Sequence, residues 1–153
     1  MATSSDSKTQ WGWAMYDWAN SSYSLVISTA IFPIYYTAVM DGAGKISFPF
    51  FSGNISTTAA YTFVVAAAFL TISIITPYLS ALSEVSGKKK SFMRAFIYCG
   101  SMACAGMFFF TESTLWWGLL SPYLASLCFS GSLVFYNSYL PEIAKIEDQD
   151  SLS

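Results

Sequence analysis

Charge is absent from four long stretches of this chain, and that spacing predicts its elements. Between Asp17 and Asp41 lie 23 uncharged residues, between Lys45 and Glu84 38, between Arg94 and Glu112 17, and between Glu112 and Glu142 29. A helix crossing a bilayer needs about 20 mostly apolar residues, within a range of about 17 to 25. The pattern therefore predicts four spans over residues 18–40, 58–82, 91–110 and 115–139. The third is the shortest, and Arg94 near its start can extend its head group to the interface. The expected organisation is a polar tail over residues 1–12, four transmembrane helices within 13–139, and a polar segment over 140–153.

Composition excludes most alternatives. Hydrophobic residues make up 54% of the 153 positions and charged residues 10%, against about 25% charged in a typical soluble domain. A soluble domain so poor in charge could not coat its surface. The net charge of −2 gives no electrostatic footprint for nucleic acid. With no histidine, the commonest metal ligand and general base is missing. Cys99, Cys104 and Cys128 fall in apolar stretches without CxxC spacing and read as small packing residues. No metal or cofactor is called for. The polar start and the long first apolar run also argue against a cleavable signal peptide.

Basic residues orient the spans. Lys8 precedes the first, Lys88, Lys89, Lys90 and Arg94 surround the turn between the second and third, and Lys145 follows the fourth. Only Lys45 falls on the other side, so the positive-inside rule predicts a cytosolic amino terminus. Trp11, Trp13 and Trp18 cluster at the start of span one and Trp116 and Trp117 at the start of span four, where interfacial aromatic belts are expected.

At about 100° per residue, three of the four spans carry a polar stripe: Asp17, Ser21, Ser24, Ser28 and Tyr35 on the first, Thr62, Ser73, Thr76 and Ser80 on the second, and Ser126, Ser130 and Asn137 on the fourth. Any one hydroxyl is explained by a bond to its own backbone or to a neighbouring helix. Three aligned stripes point instead to a shared polar cavity. Span three carries Gly100, Ser101, Ala103, Cys104, Ala105 and Gly106 in one run, which suits close packing and predicts a brace outside that cavity. Asp17 sits near the start of its span, fitting a gate, a helix cap or an interhelical ion pair better than a midplane proton relay. Asn20, one turn on, can bond across helices or to a solute. Pro33 and Pro77 predict bends in spans one and two, fixed kinks in preference to hinges. The loop over 41–57 contains a glycosylation sequon at Asn54, given no functional weight.

The turn between spans two and three reads SALSEVSGKKK from Ser80 to Lys90. It resembles the signature loop of the major facilitator superfamily: a small residue, an acid after three intervening positions, a glycine after two more, then a basic pair. Ser80 stands for the usual glycine, Glu84 for aspartate and Lys88 for arginine, which keeps the physical character but loses the bidentate geometry of arginine. The resemblance implies that Ser80, Glu84, Gly87, Lys88 and Lys89 form a cytosolic gate, latched in one conformation and released in another. The three lysines also serve topology. WAMYDWANSSY from Trp13 to Tyr23, IFPIYY from Ile31 to Tyr36 and FYNSYLPEIA from Phe135 to Ala144 are similar to the vacuolar-effluxer-like branch of that superfamily. Its eukaryotic members are linked to autophagy and export amino acids from the vacuole, and its bacterial members are mostly uncharacterised permeases.

The fold class so implied is an all-α membrane protein, its four helices forming part of the six-helix amino-terminal half of a major facilitator fold. The expected function is secondary transport of small solutes, amino acids among them, by alternating access. Ser24, Ser28, Ser126 and Ser130 are the candidate pathway residues near the midplane, with Asp17, Asn20, Tyr136 and Asn137 nearer the gate. The implied partners are the lipid bilayer, a small solute with or without a coupled proton or cation, and the remaining helices of a longer transporter, of which this chain is expected to be an amino-terminal fragment. A bacterial cytoplasmic membrane is the first choice of location and a vacuolar membrane the eukaryotic alternative. Two rivals remain: a complete four-helix multidrug exporter acting as a dimer, which needs a more deeply embedded acid than Asp17, and a four-span scaffold, which needs no aligned stripes. An intramembrane enzyme is disfavoured by the lack of histidine, paired acids and an activated nucleophile.

Overall fold

The computed structural model describes residues 7–40, 46–47 and 54–143. The expected polar tail over 145–153, including Lys145, and the loop residues Asp41 and Lys45 lie outside the described residues. The first span is one continuous helix in three parts: α1 (Ser7–Ser22), a π-helical segment (Tyr23–Ala30) and α2 (Ile31–Met40). Two short antiparallel strands follow, β1 (Ile46–Ser47) and β2 (Asn54–Ile55), with Ile46 opposite Ile55. The other spans are α3 (Thr57–Ser86), α4 (Lys89–Gly106) and α5 (Leu115–Ile143), with a 3₁₀ turn at Met107–Phe109 closing α4. Among the described residues, four helices are long and apolar enough to cross a membrane.

The local chemistry explains where these helices start and stop. Ser56 caps α3 by accepting a hydrogen bond from the Ala59 amide at 3.3 Å. At the far end Gly87 adopts φ 62° and its amide reaches the Glu84 carbonyl at 3.2 Å. That left-handed conformation suits a residue without Cβ and lets the chain reverse at once into α4. The Lys88 carbonyl then accepts from the amides of Ser91 and Phe92. Between α4 and α5, Thr114 accepts from the Thr111 amide at 2.8 Å through its hydroxyl, and its carbonyl accepts from the Trp117 and Gly118 amides.

The bundle therefore has a strand end, carrying β1, β2 and the α4–α5 turn, and a turn end, carrying the start of α1 and the α3–α4 turn. α5 is the central helix: 56% of its apolar window is buried, against 17% for the first and second spans and 6% for α4. Close approach to α4 is set by small residues. A Cβ on Gly131 would lie 2.6 Å from the Phe96 ring, and one on Gly100 would lie 3.1 Å from the Cys128 Cβ. Without a hydrophobic drive between helices in lipid, such close backbone contact is what holds them together. At the strand end Phe32, Tyr36, Met40, Tyr61, Met107, Phe110 and Leu119 form the main buried cluster.

Pro77 lies inside α3, which is α-helical on both sides of it from Thr57 to Ser86. Near Pro33 the departure from α geometry is the eight-residue π segment preceding it. The reason is register. In a π-helix each carbonyl pairs with the amide five residues on, as Val26 does with Ile31. The partner of the Ser28 carbonyl would then be residue 33, and proline has no amide hydrogen. The Tyr61 hydroxyl of α3 donates to that carbonyl instead, at 3.5 Å.

Candidate solute pathway and the turn between the second and third spans

The first span meets α5 through tyrosines. Tyr16 donates to Ser132 Oγ at 2.8 Å, and the hydroxyls of Tyr23 and Ser126 share a hydrogen bond of 3.2 Å. Tyr136 stacks on Trp13 with ring centroids 4.5 Å apart and donates to the Trp13 carbonyl at 3.4 Å. Tyr23 also stacks on Phe129 at 4.5 Å. The seven-residue spacing of Tyr16 and Tyr23 puts both on one helix face. That spacing was the available signal for these contacts, which the polar stripes did not include.

On either side of this seam lie two different surfaces. One is a groove of about 600 Å³ walled by the first span, α4 and α5, with Asn20, Tyr23, Ser101, Cys104 and Ser132 among its lining residues. α4 thus does more than brace: its run of small residues leaves the space that forms the groove. The second surface lies on the opposite flank of α1. Ala19 and Ser22 line the groove, whereas Asp17 and Ser21 project on the other side of Tyr16, at about +100° and +140° against about −60° and −120°. Asp17, Ser21 and Ser24 are exposed there. On α5, Ser130 and Asn137 fall on the row of Tyr123, whose hydroxyl shares a 3.0 Å hydrogen bond with Thr71 of α3. They therefore lie toward α3 and away from the groove.

The candidate pathway residues thus separate into two groups. Asp17, Ser24, Ser130 and Asn137 lie on the flank away from α4, with Asn137 exposed and Ser130 half-buried. Asn20 lines the groove instead. Ser126 is buried against Tyr23, Tyr136 is buried under Trp13, and Ser28 offers its carbonyl to Tyr61, so these three act within the packing. Tyr35 bonds the Phe110 carbonyl at 3.3 Å. Most other stripe hydroxyls turn back on their own helix: Ser21 to the Asp17 carbonyl, Thr62 to Thr58 and Thr76 to Ile72. Trp11 and Trp18 are exposed, whereas Trp13 is stacked and Trp117 donates its indole N–H to the Gly106 carbonyl at 2.7 Å.

In the turn, Ser80 is half-buried and its carbonyl accepts from Ser83, while Glu84, Gly87 and Lys88 are exposed. Lys89 opens α4 directly after Lys88. The left-handed Gly87 holds the acid and the basic pair within one reversal of the chain.

The family model of vacuole effluxer Atg22-like proteins matches residues 5–151. The chain belongs to this family. It is also 32% identical, over 137 residues, to an uncharacterised MFS-type transporter, YxiO, of Bacillus subtilis (strain 168). That match covers 89% of this chain and 30% of the relative, so the chain spans under a third of the relative's length. No solved structure matches it. The family and the relative support a major facilitator type of fold for these four apolar helices. The stretches over 13–23, 80–90 and 135–144 all lie inside the matched region.

Proposed function

We propose that this chain forms the first four spans of a secondary transporter that moves small solutes, amino acids foremost, by alternating access. The observation that carries this reading is the match to the vacuole effluxer family over residues 5–151. The flank bearing the exposed Asp17, Ser21, Ser24 and Asn137 and the half-buried Ser130 supplies the polar half-surface such a carrier needs, its other wall coming from helices beyond these four. In this reading the amino terminus and the α3–α4 turn face the cytosol, following the lysines. Glu84, Gly87, Lys88 and Lys89, with Ser80 at the helix end, latch that side while the carrier faces outward. Charge-assisted hydrogen bonds from such a turn are strong enough to hold one state and exposed enough to exchange.

The test is uptake of radiolabelled L-amino acids into vesicles reconstituted with the transporter polypeptide carrying this chain. The expected result is saturable uptake that the combined Glu84→Ala, Lys88→Ala and Lys89→Ala substitutions reduce without reducing membrane insertion. Uptake no greater than that of protein-free vesicles overturns the amino-acid reading. Unchanged kinetics in the triple variant overturn the latch.

A further inference from the structure

The first span is anchored to different neighbours above and below its π segment. At the turn end the first span is held to α5 by Trp13 and Tyr16 of α1 and by Tyr23, the first residue of the π segment. At the strand end α2 is held in the buried cluster, with the Tyr36 ring stacked on Phe110 at 5.4 Å and 5.7 Å from Tyr61. Between them, no residue of Tyr23–Ala30 is fully buried, although Tyr23 and Ile27 pack against the cluster and Tyr23 bonds Ser126. A change of winding has to exchange these few contacts, but no fully buried side chain of the segment has to be repacked.

The segment is also longer than the single-turn bulge in which π geometry mostly occurs, and such geometry concentrates at functional sites. Three contacts keep it in five-residue register. The Ile31 amide bonds the Val26 carbonyl, Thr29 Oγ1 donates to the Ser24 carbonyl at 2.6 Å, and Tyr61 serves the carbonyl of Ser28. In four-residue register the proline at position 33 would instead orphan the Thr29 carbonyl and crowd it with its ring. Pro33 and Tyr61 thus bias the segment toward π, while ordinary α-helical hydrogen bonding draws it the other way.

We propose that Tyr23–Ala30 is a register switch that turns α1 against α5 and so exchanges which residues of the first span face the fourth. A shift of one residue toward α winding rotates α1 relative to α2 by about 100° and moves it by about 1.5 Å. Each residue of α1 then takes the direction of the one before it. Asp17 occupies the place of Tyr16 opposite Ser132, and Ser21 takes the place of Asn20 beside the groove. The polar flank is thereby carried into the α1–α5 seam. Its use as a transport step rests on the alternating-access reading, but the switch itself is tested without transport.

The experiment uses membranes containing the transporter polypeptide, with Cys99, Cys104 and Cys128 replaced by serine. Cysteine pairs at positions 16 and 132, or 17 and 132, are bridged by a bifunctional thiosulfonate matched to the reach of a tyrosine side chain. The switch predicts that both pairs bridge. Deleting Leu25 from the segment should retain the 16–132 product and abolish the 17–132 product, because α winding is then reached without rotation. Tyr61→Phe and Pro33→Ala should each raise the 17–132 yield relative to 16–132 by about threefold or more, the shift expected for one hydrogen bond. No 17–132 product in the parent, or a 17–132 product that survives the deletion, overturns the proposal. If the deletion variant fails to insert, the Tyr61→Phe ratio decides: an unchanged ratio is also contradictory.

Discussion

The two ends of the first span are held by different physics. At the strand end, Phe32, Tyr36 and Met40 are buried among the rings of Tyr61 and Phe110, and the Tyr36 hydroxyl has no hydrogen-bond partner among the described residues. Contacts there are mostly ring against ring, with Tyr35 adding a hydrogen bond to the Phe110 carbonyl. At the turn end, Tyr16 and Tyr23 hold α5 through hydroxyl pairs to Ser132 and Ser126. These bonds are few and directional, and they accompany the stacks of Tyr136 on Trp13 and of Tyr23 on Phe129. Within a membrane, packing gives permanence and hydrogen bonds between helices contribute modestly. In the proposed switch, the end held in the buried cluster stays and the end held by hydroxyl pairs exchanges, with the π segment between them.

Substitutions can break that contrast, beginning with the largest expected effect. Phe110→Ala opens a cavity where the ring contacts Tyr36, Tyr35 and Phe32, and should cost about 3–5 kcal/mol, read as loss of thermal stability in detergent. Gly118→Ala places a Cβ 2.2 Å from the Phe110 ring, which is itself almost fully buried and has nowhere to go. That overpacking should cost about 1–3 kcal/mol in the same assay. Two tyrosine-to-phenylalanine changes then sharpen the comparison by sign. Tyr16→Phe should destabilise by about 1 kcal/mol as the Ser132 bond is lost, whereas Tyr36→Phe removes an unpaired buried hydroxyl and should be neutral or stabilising. Equal losses at both positions would remove the distinction. The triple alanine change at Glu84, Lys88 and Lys89 is the smallest, within about 0.5 kcal/mol because Glu84 and Lys88 are exposed. Its effect belongs in transport.

The spacing of charges marks the four spans because a bilayer imposes a length on every crossing, and that length is written in composition. The helix ends are less legible. Among the described residues α1 already includes Ser7 and α5 still includes Ile143, because a helix continues past the apolar slab wherever its backbone bonds can be kept. Stripes of serine and threonine predicted a polar face, yet they did not distinguish Ser126, buried against Tyr23, from Ser24, exposed. That difference depends on how far α1 is rotated, and periodicity carries no absolute angle. The π segment was hidden for the same reason. Pro33 announces an orphan carbonyl, but whether a kink or a change of winding resolves it depends on Tyr61, 28 residues along the chain from Pro33.

The claim on which the account turns is that the Asp17 flank of the first span, opposite the groove, faces the aqueous pathway. The direct measurement is reaction of a charged, membrane-impermeant thiol reagent with single cysteines at Ser21, Ser24 and Met102 in the otherwise cysteine-free transporter. Met102 is an exposed apolar residue of α4, outside the groove lining and remote from the polar stripes, and serves as the lipid-side control. The account predicts fast labelling at positions 21 and 24 and little at 102. Labelling at 21 and 24 no faster than at 102 would contradict it.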